Sequence, residues 1–318
     1  MCTVISDKVG RHIFARTLDL ECSFSEEIVI TPRHFRLEFL RLPPMSDHYA
    51  FLGTARVDNG MPLYYDALNE TGLCAAALNF PRFAEYSRAT SGVHNVASFE
   101  LIPWVLSRAG SVEEVRRLLA SSNITNEGFS EDLPPTPLHW IFADDKAAIT
   151  VEATRQRLEI HDNPVGVLTN SPDFRAQITN LERYYHIIYG SFRADVPLHS
   201  RGLDGVGIPG DYSSSSRFAK AVYSKERICA PISDADAIER GFHLMETVSQ
   251  PRGITRSKDG SGVYTVYTAV IDSASKKYYF TTYENRRIRC VKLDTSSCSG
   301  DSLATFSMRD SADLLCFN

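Results

Sequence analysis

The chain has 318 residues, 43% of them hydrophobic and 23% charged, with seven cysteines and a formal charge of −5 at pH 7. A chain this long can bury about three quarters of its unfolded surface, so neither disulfides nor a structural metal is needed to make a core. The acidic balance argues against nucleic acid or an anionic membrane as the main partner, and no stretch approaches the roughly 20 apolar residues of a membrane span.

The segment Met1 to Lys8 lacks the basic and apolar regions of a signal peptide, which predicts a cytoplasmic protein. Cys2, Cys22, Cys74, Cys229, Cys290, Cys298 and Cys316 form no C-x-x-C and no metal-ligand spacing. In a reducing compartment most of them read as free thiols behaving as small hydrophobes, with no metal or cofactor implied.

Val4-Ile5 and His12 to Leu18 flank the turn Asp7-Lys8-Val9-Gly10, predicting a hairpin that starts at the first residue. A strand follows at Glu27–Thr31. A second hairpin, Met61 to Leu68 and Leu73 to Phe80, turns at Asn69-Glu70-Thr71-Gly72. Its small apolar run Cys74-Ala75-Ala76-Ala77-Leu78 suits a strand covered on both faces. Ser98 is the expected cap of a helix through Leu106, and Ser111-Val112-Glu113-Glu114 has the form of a capping box. Strands resume at His139 to Ala143, Ala148 to Val151 and Gly166 to Thr169. Helices are predicted at about Phe174 to Ile188, Ser214 to Lys225 and Asp234 to Val248, before a strand-rich stretch from Val263 to Lys292. With no linker or repeat, this order predicts one α+β domain over residues 1–318.

Two motifs fail on context. Gly205-Val206-Gly207-Ile208-Pro209-Gly210 matches the dinucleotide pattern, but its lead-in from Leu198 reads as a loop and Pro209 interrupts it. Ser273-Ala274-Ser275-Lys276 matches S-x-x-K inside an expected hairpin turn, without the partner motifs of a serine enzyme. The nine histidines show no zinc-binding spacing.

Cys2 is the residue with chemistry to offer. Once Met1 is removed it carries a thiol and a free α-amine together, and an amine with a pKa of about 7.7 to 8.0 can serve as its base near neutrality. Arg16 and Asp19 lie on or just after the returning strand, so the hairpin can bring both beside Cys2. A guanidinium about 4 Å from a thiolate contributes about 4 kcal/mol at an effective dielectric near 20, enough to lower the thiol pKa. A plain ion pair between Arg16 and Asp19 fits the same spacing. A silent binding protein and a thiol redox protein are the readings from other classes, the latter lacking a cysteine at a resolving spacing.

Met1-Cys2-Thr3, Ala15 to Asp19, Gly72 to Pro81, Leu168 to Pro172 and Gly207 to Phe218 together resemble the choloylglycine hydrolase family of bile salt hydrolases and penicillin V acylases. The resemblance covers nearly the whole chain. It implies an αββα sandwich of the N-terminal nucleophile hydrolase type, a mature chain beginning at Cys2, and a homotetramer. Arg16 and Asp19 would flank the thiol and amine, Asn79 and Asn170 would form the oxyanion hole, and Arg217 would be a third polar group near the nucleophile. Asn79 resembles the bile salt hydrolase branch, since penicillin V acylases resemble one another in having tyrosine there. The implied substrates are glycine- or taurine-conjugated bile salts, with penicillin V or acyl-homoserine lactones as the alternative. Leu20, Phe24, Met61, Phe129 and Leu138 are the candidates for holding a steroid.

Overall fold

The computed structural model describes residues 1–155, 157–190 and 202–317. Its N-terminal half supplies β1 (Cys2–Asp7), β2 (Ile13–Leu20), β3 (Glu27–Thr31), β4 (Phe51–Asp58), β5 (Met61–Asn69), β6 (Cys74–Asn79), β7 (His94–Ala97), β8 (Ser122–Thr125), β9 (Leu138–Ala143) and β10 (Ala148–Ala153). Then come β11 (Leu158–Asp162), β12 (Val167–Leu168), β13 (Thr255–Arg256), β14 (Gly262–Asp272), β15 (Lys277–Thr282), β16 (Arg289–Lys292) and β17 (Ala304–Ser307). The helices are α1 (Leu101–Leu106), α2 (Val112–Leu119), α3 (Phe174–Leu181), α4 (Tyr185–Ile188), α5 (Ser214–Arg227), α6 (Asp234–Glu246) and α7 (Thr295–Cys298).

Two sheets stack face to face. The first runs β12-β1-β2-β14-β15-β16, with β13 attached to β14, and the second runs β11-β10-β9-β6-β5-β4-β3-β17. Side-chain alternation with period two explains the layers. Ile28, Ile30, Leu52, Cys74, Ala76 and Leu78 point into the core shared with the first sheet, whereas Val29, Phe51, Ala75 and Ala77 join a separate core under α1 and α2. On the far side, α5 packs on β1 and β12 and α6 on β2 and β14. The result is the expected αββα sandwich. β1 lies inside its sheet, and all six of its residues are buried.

Local chemistry departs from expectation in places. Ser98 does not cap α1: it opens a 3₁₀ turn, and the Glu100 carboxylate accepts the Ala97 N–H at 3.0 Å and the Leu40 N–H at 2.6 Å. Ser111 does cap α2, accepting from Glu114 N–H at 3.3 Å, while Glu114 reaches one residue further back to Gly110 N–H at 2.6 Å. The single helix expected over 174–188 is interrupted by a 3₁₀ turn at Glu182–Tyr184. Ser273 to Lys276 is the β14–β15 hairpin turn. Leu203–Gly205 is a 3₁₀ turn leading into the Gly-rich loop; the lead-in from Leu198 to Arg201 lies outside the described residues. Among the described residues no helix is long and apolar enough to cross a membrane. Cys22, Cys229, Cys290 and Cys316 are exposed, so only Cys2, Cys74 and Cys298 fit the reading of cysteines as small buried hydrophobes.

His12 stitches the start of β2 to its neighbours. Its ring nitrogens lie 3.0 Å from Ser6 Oγ and 2.9 Å from Ser273 Oγ, and burial, with help from Lys8, lowers its pKa to about 4. Above about pH 6.5 the ring is neutral in both the folded and unfolded chain. As pH falls towards 4 the unfolded ring binds a proton that the folded one refuses, which removes about 3 kcal/mol of stability. Urea unfolding as a function of pH should show this acid-side loss, and His12→Gln should flatten it. An unchanged slope in the variant would contradict the assignment.

Candidate active site

Register places Cys2 at the open end of β1, opposite Leu18, with Val4 opposite Arg16. Its backbone is held from both sides. The Cys2 N–H donates to Asn170 Oδ1 at 2.9 Å, and the Cys2 carbonyl accepts from Arg217 Nη1 at 2.6 Å. Arg217 also donates to Thr3 Oγ1 at 2.5 Å, Asn170 Oδ1 at 2.8 Å and the Tyr212 carbonyl at 3.0 Å. It is fully buried near the start of α5, and burial lowers its pKa against the pull of Asp19 and Cys2. Met1 extends the hairpin by one pair, its carbonyl accepting from Asp19 N–H at 2.8 Å and its amine donating to the Asp19 carbonyl.

Arg16 and Asp19 do not pair with each other. Three residues apart on a strand, they project from opposite faces of the sheet. Arg16 shares the face of Cys2 and Val4, between the sheets, where Nη1 donates to the Tyr65 carbonyl at 2.8 Å and meets Asp66 Oδ2 at 3.3 Å. Burial disfavours its charge, but Tyr267, Cys2 and Asp66 more than restore it, so the net direction is up. Its Nη2 is buried with no hydrogen-bond partner among the described residues. Asp19 lies on the helix-covered face, accepting from Thr265 Oγ1 at 2.7 Å, Gln250 Nε2 at 3.1 Å and Thr17 Oγ1 at 3.3 Å.

Asn79 and Asn170 meet. Asn170 Nδ2 donates to the Asn79 carbonyl at 2.7 Å. The amide orientation is fixed by its neighbours: Oδ1 receives two donors, Cys2 N–H and Arg217 Nη2, and a flipped NH₂ would oppose both. One Nδ2 hydrogen remains beyond the Asn79 bond. Phe80 N–H donates to the Pro137 carbonyl, so by ladder alternation the Asn79 N–H turns away from β9, on the side where β5 pairing has ended at Ala76. The Asn79 side chain is exposed.

An apolar cavity of about 370 Å³ is lined by Leu20, Phe24, Phe129 and Leu138 among others, and Leu138 stands opposite Asn79 in the β6–β9 register. Tyr65 joins this cavity to Arg16, since it lines the cavity and its carbonyl accepts from Arg16 Nη1. Met61 is not in this lining. It borders a smaller cavity of about 160 Å³ that shares Leu63, Phe99 and Phe129 with the first, because β5 carries Met61 away from Tyr65 by four residues.

Sequence reasoning missed Asp66, which accepts from the Tyr267 and Tyr278 hydroxyls at 2.5 Å each and sits beside Arg16. Thr54 extends the chain through Tyr278 at 2.6 Å, so the contacts join β2, β14 and β15 of one sheet to β4 and β5 of the other. Burial pushes the Asp66 carboxyl up, against Arg16 and both tyrosines. A carboxylate at a core-facing strand position was the available signal; its partners, distant in sequence, were not. Removing it strands a buried guanidinium, so Asp66→Ala should lose about 3–5 kcal/mol in denaturant unfolding. Adding Arg16→Met should recover part of that loss; a single-variant loss below about 1 kcal/mol would contradict the pairing.

Residues 2–313 match the family model described as linear amide C–N hydrolases, choloylglycine hydrolase family. The chain is 37% identical to a bile salt hydrolase/transferase of Lactiplantibacillus plantarum, covering 100% of both chains. It is 33% identical to a bile salt hydrolase/transferase of Clostridium perfringens, over 96% of each. A solved cysteine-to-alanine variant of the conjugated bile acid hydrolase of Clostridium perfringens superposes with a TM-score of 0.91, at 32% identity and 100% coverage of both chains. The penicillin V acylase of Agrobacterium tumefaciens shares the fold, with a TM-score of 0.77 at 21% identity, over 96% of this chain and 91% of that one. On this match of sequence and architecture, the chain belongs to the choloylglycine hydrolase family of linear amide C–N hydrolases.

Proposed function

We propose that this enzyme cleaves the amide bond of glycine- or taurine-conjugated bile acids, with Cys2 as nucleophile once Met1 is removed. The observation that carries the reading is the hydrogen-bonded chain from Cys2 through Asn170 to Asn79, with Arg16 on the same sheet face as Cys2 and tied through Tyr65 to an apolar cavity. A rigid steroid acid suits that cavity, and its carboxamide would then lie at the polar end.

In this mechanism Cys2 Sγ attacks the amide carbon while the thiol proton passes to the free α-amine. Charge developing on the carbonyl oxygen is met by the Asn79 N–H and the remaining Asn170 Nδ2 hydrogen. Collapse expels glycine or taurine, whose nitrogen takes the proton back from the α-ammonium. Water, deprotonated by the same amine, then cleaves the thioester and frees the bile acid. An amine in place of water would give acyl transfer. Arg16 favours the thiolate from the inter-sheet face, whereas Asp19 and Arg217 orient the amine end from the other side. With this reading go a cytoplasmic location and a homotetramer of single-domain chains, tested by cell fractionation and sedimentation.

Cys2→Ala should reduce glycocholate turnover by at least about a thousandfold without changing the circular dichroism spectrum. Residual activity within about tenfold of the parent would exclude Cys2 as nucleophile. Parallel assays with glycocholate, taurocholate and penicillin V should favour the bile salts. A clear preference for penicillin V would overturn the substrate class while leaving the cysteine chemistry standing.

A further inference from the structure

A second buried polar pair lies between the sheets, unused by the chemistry above. His139 on β9 and Glu152 on β10 stand directly opposite each other, both at 0% exposure. His139 Nδ1 is 3.0 Å from Glu152 Oε1, and its Nε2 is 2.9 Å from the Thr169 carbonyl. A carbonyl oxygen only accepts, so Nε2 carries a proton and donates to Thr169. The ring lies flat on Phe80, with centroids 4.2 Å apart and 6° between planes. Glu152 also accepts the Phe174 N–H, at 3.0 Å on Oε1 and 3.2 Å on Oε2. Two further ionisable groups face the pair from β11: Glu159, directly opposite Glu152, and His161, whose Nε2 is 3.7 Å from Glu152 Oε2 and 3.3 Å from Glu159 Oε2.

The two contacts that His139 makes beyond Glu152 each end next to a residue of the candidate oxyanion hole. Thr169 precedes Asn170, and Phe80 follows Asn79. Glu152 grips both ends of the segment that carries Asn170, through His139 at Thr169 and directly at Phe174. We propose that His139, oriented by Glu152, is a positioning residue that fixes the Asn79 and Asn170 donors relative to each other and to Cys2. This rests on the oxyanion reading of those two asparagines. The two donors come from different sheets, so their separation depends on the packing between sheets as well as on their own hydrogen bond. Preorganised donors act only when they meet the developing charge at the right distance, and a misplacement of about 1 Å can lose about a hundredfold in rate.

The test separates donor placement from thiol reactivity. Alkylation of Cys2 by iodoacetamide displaces iodide from a saturated carbon and creates no oxyanion, so it reports the thiol alone. It is followed on the N-terminal peptide by mass spectrometry, since four other cysteines are exposed. His139→Gln should lower kcat for glycocholate by about 10- to 100-fold, with KM and the alkylation rate each within about twofold of the parent. Glu152→Gln should move kcat in the same direction by less, and carries the test by the same criteria if His139→Gln fails to fold. Retained kcat, or kcat and alkylation falling together, would overturn the proposal. Asn170→Ala is the control: if it keeps full kcat, the oxyanion reading has failed, whereas its loss beside an unaffected His139→Gln rejects the positioning role alone.

Discussion

The structure turns on how the backbone of one residue is held. Cys2 is the first residue of an interior strand, its N–H bonded to Asn170 and its carbonyl to Arg217. Strand ends normally fray; this one is clamped from α5 on one side and from the segment after β12 on the other. Arg217 is the common element, because the same guanidinium bonds Cys2, Thr3, Asn170 and the turn at Tyr212. Burying that charge is tolerable only because four oxygens accept from it. Its cost in solvation and its use as a clamp are two sides of one arrangement.

From that clamp the two faces of the first sheet take different tasks. The inter-sheet face carries the Cys2 thiol, Arg16 and the Asp66 cluster, and leads towards the apolar cavity. The helix-covered face carries Thr3, Asp19 and Arg217, surrounded by the neutral donors Thr265 and Gln250. A thiol and an amine on the same residue need different surroundings, and a strand supplies them by alternation. The sandwich also explains how two asparagines from different sheets can meet: Asn79 ends β6 in the second sheet, and Asn170 follows β12 in the first.

Much of this was legible in the chain. The N-terminal hairpin, the both-sides-covered strand at Cys74 to Leu78 and the helix after Ser111 follow from turn residues, apolar runs and a capping hydroxyl, whereas the caps Ser213 and Ser233 of α5 and α6 emerge only in the structure. The sites of Arg16 and Asp19 were only half legible. Their nearness to Cys2 was clear from the hairpin, but an ion pair between them was excluded by strand parity, which separates i and i+3. Asp66 and His139 were hidden for a different reason. Each sits in a strand of ordinary appearance, and its importance comes from partners as much as 212 residues away, such as Tyr278. Steroid-pocket candidates fared by position: Leu20, Phe24, Phe129 and Leu138 share one cavity, whereas Met61 belongs to its neighbour.

The central claim is that freeing the α-amine of Cys2 makes the catalyst. Met1 now occupies the hairpin pair opposite Asp19 and leaves the Cys2 nitrogen a peptide N–H, which cannot take the thiol proton. The direct measurement is glycocholate hydrolysis by two preparations of the full chain whose first residue has been established by mass spectrometry, one starting at Cys2 and one retaining Met1. Activity confined to the preparation that starts at Cys2 is the predicted result. Equal rates from the two would contradict the account.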